Sequence, residues 1–203
     1  MKNYYQRSRF LTSAAQPGQF PPEQGLEVAF AGRSNAGKSS AINCLCDNRN
    51  LARTSKTPGR TQLINFFTLD DERRLVDLPG YGYAKVPEAV RRDWQSLMEN
   101  YLGQRPILAG LVVIMDIRHP VKDYDAQMLE WCQHFNIATH VLLTKADKLK
   151  RGAAKQALFS VQKTLRELAF DSTVQMFSSM DKTGVDELRN KLNDWFELSD
   201  EDL

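Results

Sequence analysis

The chain has 203 residues, 42% of them hydrophobic, which is enough for one substantial core and too short for two large ones. Lysine and arginine number 27 against 25 aspartates and glutamates, so the formal charge of +2 does not by itself indicate a polyanionic partner. The three cysteines favour a reducing compartment over a disulfide framework. The longest apolar run is far shorter than the roughly 20 residues that cross a bilayer. We therefore expect a single cytoplasmic domain without a membrane span.

Prolines and glycines are concentrated near the start of the chain, which predicts an irregular N-terminal arm over residues 1–25. Regular elements are expected from residue 26 onward. We assign the folded domain to residues 26–197 and a short acidic tail to residues 198–203. Residues 48–60 show no apolar period, and a loop of this length inside a compact domain is usually functional or mobile.

Strands and helices alternate through the domain, which favours a mainly parallel sheet with helices on both faces. We predict an α/β fold, a three-layer α/β/α sandwich with a mostly parallel six-stranded sheet. The predicted strands span residues 26–31, 63–69, 73–78, 108–115, 139–143 and 173–177, and the predicted helices span residues 37–46, 88–102, 123–135, 153–169 and 185–196.

A phosphate-binding pattern, Gly-x-x-x-x-Gly-Lys-Ser, lies between the first predicted strand and helix. Gly32 and Gly37 permit backbone angles that aim successive amides at a phosphate, at the positive end of the helix. Lys38 supplies a cation for the β- and γ-phosphates, and Ser39 offers a hydroxyl to Mg²⁺. A simple glycine-rich turn is the alternative, but the strand–loop–helix context favours a P-loop NTPase. The predicted phosphate-binding residues are Gly32, Arg33, Ser34, Asn35, Ala36, Gly37, Lys38 and Ser39.

A second candidate, Asp77-Leu78-Pro79-Gly80, follows an apolar strand. The carboxylate of Asp77 is placed to complete the Mg²⁺ site through a water molecule, and the amide of Gly80 to meet the γ-phosphate. Read alone, these residue types more often form an ordinary turn. Their position after the P-loop favours the metal site.

A third candidate, Thr144-Lys145-Ala146-Asp147, follows the predicted strand 139–143, at the edge where open sheets bind ligands. An aspartate at position 147 can accept from both N1-H and the 2-amino group of guanine, which adenine cannot offer. Lys145 can lay its aliphatic stem over the base. A solvated turn is the alternative for these two residues. Ser178 and Ser179, directly after the next predicted strand, can bring an amide to guanine O6, and Phe177 at the end of that strand is also assigned to the nucleotide site.

Together these motifs resemble the EngB family of the TrmE-Era-EngA-EngB-Septin-like GTPases over roughly residues 26–197. The segments that carry the resemblance are Gly-Arg-Ser-Asn-Ala-Gly-Lys-Ser-Ser at residues 32–40, Thr-Pro-Gly-Arg-Thr-Gln at residues 57–62, Asp-Leu-Pro-Gly-Tyr-Gly-Tyr-Ala at residues 77–84 and Thr-Lys-Ala-Asp at residues 144–147. The resemblance implies a GTP-binding switch that hydrolyses GTP slowly. It also implies roles in assembly of the large ribosomal subunit and in cell division and septation.

The resemblance further implies that Ser39 and Thr61 bind Mg²⁺ directly and that Asp77 opens the second switch. The first switch would comprise Gly59, Arg60, Thr61, Gln62 and Leu63. The hydroxyl of Thr61 can bind the metal while its amide senses the γ-phosphate, so hydrolysis would release the loop. An ordinary strand-entry threonine is the alternative for this residue. Lys38, Thr61 and Asn35 are the catalytic candidates.

Two positions bear on hydrolysis. Many GTPases have a water-orienting glutamine directly after the Asp-x-x-Gly motif, but Tyr81 occupies that place and cannot do the same job. We therefore expect slow intrinsic hydrolysis. Related GTPases with asparagine at the position of Asn35 suggest the hypothesis that this residue helps to hold K⁺ at the phosphates. The motif at residues 144–147 usually begins with asparagine, so we expect Thr144 to brace the loop more weakly or differently.

The loop before the second strand carries Arg49, Arg53, Lys56 and Arg60 without an acidic residue between positions 48 and 61. Such a loop can contact RNA phosphate on the large ribosomal subunit, be simply solvated, or face the nucleotide. No dimer motif is visible, and we expect a monomer. Two other functions stay open: a septum-associated interaction protein with GTP as a structural ligand, and an ATP-dependent phosphotransferase.

Overall fold

The computed structural model describes residues 3–52, 63–82, 87–199 and 201–202. Its strands are β1 (Arg9–Ala14), β2 (Leu26–Gly32), β3 (Ile64–Thr68), β4 (Arg73–Asp77), β5 (Leu108–Asp116), β6 (Thr139–Thr144) and β7 (Ser172–Met176). Its α-helices are α1 (Lys38–Leu45), α2 (Glu88–Gln104), α3 (Asp123–His134), α4 (Arg151–Glu167) and α5 (Val185–Trp195). Short 3-10 helices cover Tyr4–Arg7, Pro17–Gln19 and Ala146–Lys148.

In the described part of the chain, one seven-stranded sheet runs in the order β1-β3-β4-β2-β5-β6-β7. The strands from β4 through β7 in this order are parallel, whereas β3 pairs antiparallel with both β1 and β4. The prediction of an α/β sandwich with a mostly parallel sheet is therefore confirmed. The predicted strand number was one too low, because β1 was not expected.

The N-terminal arm is more regular than its prolines and glycines suggested. Strand β1 extends the sheet by pairing with β3, and the side chains of Tyr4 and Tyr5 are buried in the core. The first three residues of β1 are exposed, so its sequence lacks the apolar alternation that marks a half-buried strand. The expectation of an irregular arm was wrong for this reason.

The central strand β2 is covered on both faces, which explains its nearly continuous apolar sequence. Val28 and Phe30 belong to the core cluster that includes α1 and α5. Ala29 and Ala31 belong to the cluster that includes α2, α3 and α4. These two clusters form the two sides of the predicted three-layer sandwich.

A buried charge network lies near the amino end of β2. The carboxylate of Glu27, 0% exposed, accepts from Arg105 at 2.7 and 3.0 Å, from Arg74 at 3.2 Å and from the hydroxyl of Tyr101 at 3.0 Å. The two arginines also donate to the carbonyl oxygens of Pro21 and Pro22. The network therefore fastens the N-terminal arm to β2, β4 and α2. We call it the lower network.

Cys44, Cys46 and Cys132 are free, in agreement with the expected absence of a disulfide framework, and all three are buried. Burial raises the pKa of Cys46 to about 12 and that of Cys132 to about 11, so both stay protonated thiols at neutral pH. Across the described residues, no helix is long and apolar enough to span a membrane.

Candidate functional site

The P-loop crosses the carboxyl edge of the sheet between the end of β2 and the start of α1. A Cβ atom on Gly32 would lie 2.9 Å from the carbonyl oxygen of Ile114 on β5, so a larger residue would separate the strands. Asn35 and Gly37 have φ angles of 62° and 101°, in the left-handed region. These turns bring the chain from a strand into a helix within a few residues, the geometry in which backbone amides converge on an anion.

Asp77, the last residue of β4, lies beside the P-loop. Its carboxylate forms an ion pair with the ammonium group of Lys38 and is only 6% exposed. Strand β4 is held in register because the amide of Leu78 donates to the carbonyl oxygen of Phe30 at 3.0 Å. Lys38 and Ser39 open the same helical turn, so a hydroxyl stands on the residue next to the lysine that pairs with the Asp77 carboxylate. Such hard oxygen donors suit Mg²⁺ together with phosphate oxygens.

Thr144, the last residue of β6, braces the P-loop. Its side-chain hydroxyl donates to the backbone carbonyl oxygen of Ala36 and lies 3.1 Å from that of Met115. The hydroxyl also sits directly against Gly37, where an added Cβ would come within 3.3 Å. A threonine at this position therefore reaches the P-loop backbone by a different donor from the amide of asparagine.

Lys145 joins the P-loop to β5. Its backbone is left-handed, with φ 60°, and its ammonium group donates to the carbonyl oxygen of Asn35 at 2.7 Å. The same group lies 2.9 Å from the carboxylate of Asp116. Partial burial opposes ionisation of Asp116, but hydrogen bonds from Arg118 and Lys145 outweigh it and hold the pKa of that carboxyl well below its usual range. The lysine stem is thereby fixed across the carboxyl edge of the sheet.

Asp116 was not among the sequence candidates. It ends the buried strand β5 at the same edge as Asp77, and the rule that selected Asp77 would have selected it too. It contacts the site through Lys145, so its role is to orient that side chain.

Each oxygen of the Asp147 carboxylate has a partner that orients it. One oxygen accepts from the hydroxyl of Ser178 at 2.8 Å, and the other lies 3.1 Å from the ammonium group of Lys148. The hydrogen bond from Ser178 lowers the pKa of Asp147, so the group is an ionised acceptor at neutral pH. Ser178 is 0% exposed, and the amide of Ala146 donates to the carbonyl oxygen of Phe177 at 3.1 Å. The loops after β6 and β7 thus form one unit.

Tyr81 points into the core instead of across the site. It is 3% exposed, and its hydroxyl donates to the carboxylate of Asp125 on α3 at 3.2 Å. The same carboxylate forms an ion pair with Arg33 of the P-loop at 3.2 Å. The amide of Ser34 donates to the carbonyl oxygen of Tyr81 at 2.9 Å. We call Arg33, Tyr81 and Asp125 the upper network; it fastens the segment after Gly80 to the P-loop.

In the upper network, the carboxylate of Asp125 lies where burial disfavours its ionised form. Burial raises the pKa of Asp125, although the amide of Lys122, Arg33 and Tyr81 all favour its ionised form. Sequence patterns did not indicate this contact, because Tyr81 and Asp125 are far apart in the chain and Asp125 belongs to no recognised motif. No local signal would have revealed it.

Several predicted site residues fall outside the described ranges, namely Gly59, Arg60, Thr61 and Gln62 of the expected first switch. Arg53 and Lys56 of the basic loop lie outside them as well. Leu63 is described and directly precedes β3. The remaining predicted residues come together at the carboxyl edge of β2, β4, β6 and β7.

Comparison with known proteins agrees with this geometry. Residues 27–145 match the model of a family described as 50S ribosome-binding GTPase. A probable GTP-binding protein EngB of Coxiella burnetii (strain CbuG_Q212) is 55% identical over 192 residues, covering 95% of this chain and 94% of that relative. The crystal structure of a probable GTP-binding protein EngB covers 84% of this chain and 98% of its own, with a TM-score of 0.67 and 21% identity. The structure of Era in complex with MgGDPNP and part of 16S ribosomal RNA covers 85% of this chain and 57% of its own, with a TM-score of 0.62 and 18% identity, a likeness of fold.

Proposed function

The chain belongs to the EngB family of GTP-binding proteins, and from this premise we propose that it is a switch that acts in assembly of the large ribosomal subunit. As a member of this P-loop family it is a GTPase. Water attacks the γ-phosphorus of GTP, the bond to the bridging oxygen breaks, and GDP and phosphate are released. We assign this activity to residues 26–197, with residues 1–25 as an edge of the same sheet and residues 198–203 as a tail.

The proposal rests above all on three direct links that join the nucleotide motifs at one edge of the sheet. Lys38 pairs with Asp77, Thr144 bonds to the carbonyl oxygen of Ala36, and Lys145 bonds to that of Asn35. These links connect the proposed phosphate-binding loop to the proposed metal carboxylate, Asp77, and to the proposed base-selecting loop at residues 144–147. An ATP-dependent phosphotransferase has no use for an aspartate oriented as Asp147 is, so guanine is favoured over adenine.

We assign each part of the nucleotide to a group of residues. The P-loop amides from Gly32 to Ser39 bind the phosphates, and Lys38 exchanges its ion pair with Asp77 for the β- and γ-phosphates. Ser39, Thr61 and Asp77 would hold Mg²⁺, with Asp77 acting through water, and the bound metal would neutralise charge that develops on the phosphates. The amide of Gly80 faces the γ-phosphate, and Asp147 accepts from the base. Phe177, Ser178 and Ser179 close the base side.

We also propose that K⁺ assists hydrolysis. Asn35 has a left-handed backbone and stands on the P-loop, where an amide oxygen can coordinate a monovalent cation near the phosphates. Tyr81 is buried against Asp125 and offers nothing to the attacking water, so another positive charge is needed there. Turnover should be faster in KCl than in NaCl at equal ionic strength. Equal rates in the two salts would remove K⁺ from the proposal.

The proposed partner is the large ribosomal subunit, contacted partly through the basic residues of the loop that begins near Arg49. The family description names 50S ribosome binding, which points to the large subunit. A monomer in the cytoplasm fits this role, and the effect on cell division and septation follows from the supply of ribosomes. The competing proposal is a septum-associated protein that holds GTP as a structural ligand.

Co-sedimentation with purified large subunits separates these two proposals. The chain is mixed with subunits in the presence of GDP or a non-hydrolysable GTP analogue, and its GTP turnover is measured with and without subunits. We expect binding that prefers the analogue and a turnover that subunits accelerate. Binding that ignores the nucleotide, with unchanged turnover, would favour the structural-ligand proposal.

A further inference from the structure

The segment from the base-selecting loop through helix α4 is strongly basic. Its charged residues between positions 148 and 166 are Lys148, Lys150, Arg151, Lys155, Lys163 and Arg166, with no acidic residue among them. Because the whole chain carries only +2, the rest of it is net acidic. A single helical segment therefore carries a local excess of positive charge that the near-neutral global balance conceals.

The basic residues of α4 share one exposed stripe with an aromatic side chain. Arg151, Lys155, Phe159 and Lys163 are spaced four residues apart, which places them on one face of the helix. All four are exposed, Phe159 at 66%. The opposite face, with Ala154, Val161 and Leu165, is buried against the sheet. We call the exposed set the basic face.

Helix stability does not explain this charge pattern. The macrodipole favours acidic residues in the first turn of a helix, and α2, α3 and α5 all have them. Helix α4 has Lys150 as its N-cap and Arg151 as its first residue, and it shares the absence of an acidic residue in the first turn only with α1, the helix of the phosphate-binding loop, among the α-helices described here. Within the described part of the chain, the one ion pair on its basic face joins Lys163 to Glu167 at 3.6 Å. Cations at the positive end of a helix dipole are unfavourable in the isolated protein, and a bound anion would offset that cost.

We propose that the basic face of α4 binds RNA, with Arg151, Lys155 and Lys163 on phosphates and Phe159 stacked on an unpaired base. This inference rests on the proposed ribosomal function and assigns a contact surface to it. Polyanionic backbones are bound by rows of cations, and exposed aromatics add stacking on single-stranded bases. A membrane surface fits less well, because Phe159 is the single large apolar side chain on the stripe and the apolar face of α4 is buried.

The charge contribution is tested with a triple variant, Arg151→Gln, Lys155→Gln and Lys163→Gln. The matched control is Arg91→Gln, Arg92→Gln and Lys182→Gln, which removes three exposed cations that lie outside α4. Binding to a labelled oligouridylate and to purified large subunits is measured across salt concentrations. The α4 variant should bind on the order of tenfold more weakly at low salt and lose about 2 from the slope of log K against log salt. Wild-type affinity and slope in this variant would overturn the inference.

The stacking contribution is tested with Phe159→Ala, with the exposed Met180→Ala as its control. Loss of one stacked base should weaken oligouridylate binding by about five- to hundredfold while leaving the salt slope unchanged. Fluorescent GDP binding reports that each variant is folded. Equal weakening in both single variants would argue against a specific stacking site.

Three outcomes separate this inference from the proposed function. Subunit binding that survives in the α4 variant overturns the RNA face and leaves the ribosomal role standing. Oligouridylate binding through α4 without subunit binding supports the face and overturns the ribosomal partner. Loss of binding to phosphatidylglycerol vesicles in the α4 variant, with oligouridylate affinity intact, would replace the RNA reading by a membrane one.

Discussion

Two buried networks of similar chemistry lie at opposite ends of β2. The lower network joins Tyr101, Glu27 and two arginines, and the upper network joins Tyr81, Asp125 and Arg33. In the lower network, the Glu27 carboxylate accepts hydrogen bonds from both arginines, which also bind the N-terminal arm. The upper carboxylate has one arginine, and burial raises its pKa. The difference indicates that the lower network stabilises the fold, whereas the upper one holds the site in position at some cost to stability.

The largest effect is expected from Glu27→Gln. This change leaves Arg74 without its carboxylate and Arg105 with only the more distant Glu23, at 3.7 Å. Removal of one partner of a buried ion pair costs about 3–5 kcal/mol. Urea unfolding should show that loss, while GDP affinity of the folded protein stays at the wild-type value. The exposed Glu197→Gln is the control. A loss below about 1 kcal/mol would mean that the lower network is not the stabilising one.

A smaller, pH-dependent effect on the free energy of unfolding is expected from Asp125→Asn. Since the native pKa of Asp125 is raised, its protonated form is favoured in the fold, and that contribution is lost as the pH rises from the unfolded pKa of about 3.8 through the higher native pKa. The stability of the wild type relative to the variant should therefore fall with rising pH. At neutral pH we expect a difference within about 1 kcal/mol.

The same Asp125→Asn variant should lose preference for a GTP analogue over GDP. The reason is that the segment carrying Gly80 is then less firmly held to the P-loop, and only GTP has a γ-phosphate for that segment to meet. If Asp125→Asn is as destabilised as Glu27→Gln and keeps its nucleotide preference, Asp125 stabilises the fold and does not position the nucleotide site.

The paired changes Tyr81→Phe and Tyr101→Phe sharpen the comparison further. Each removes one buried hydroxyl that donates to a carboxylate, and each should cost about 1–2 kcal/mol in the free energy of unfolding. Only Tyr81→Phe should reduce the affinity for a GTP analogue relative to GDP. Equal nucleotide affinities in the two variants would remove the functional distinction between the networks.

The smallest effect is expected from Ser178→Ala. It removes one hydrogen bond that orients Asp147, so GTP and GDP should both bind about fivefold more weakly, equivalent to about 1 kcal/mol. The ratio of the two affinities should stay unchanged because the phosphates are not involved. A change in that ratio, measured by calorimetry, would show that Ser178 acts beyond the base.

Sequence patterns predicted the parts of the molecule that depend on local signals. Apolar alternation and the P-loop spacing correctly gave the parallel strands from β2 onward and the helices between them. Strand β1 was missed because its residues are ordered by backbone pairing with β3, which leaves no apolar alternation in its sequence. The partners of Tyr81 and Lys145 were missed as well, since Asp125 and Asp116 reach them only through the tertiary fold.

The most direct test of the guanine assignment is Asp147→Asn, with binding of GTP and xanthosine triphosphate measured side by side. Asparagine offers an amide donor where the aspartate offers a carboxylate oxygen, and xanthine has a carbonyl where guanine has its 2-amino group. The variant should lose GTP affinity and gain affinity for xanthosine triphosphate, with the wild type preferring GTP. Unchanged preference for GTP in the variant would contradict the assignment of residues 144–147 to the base.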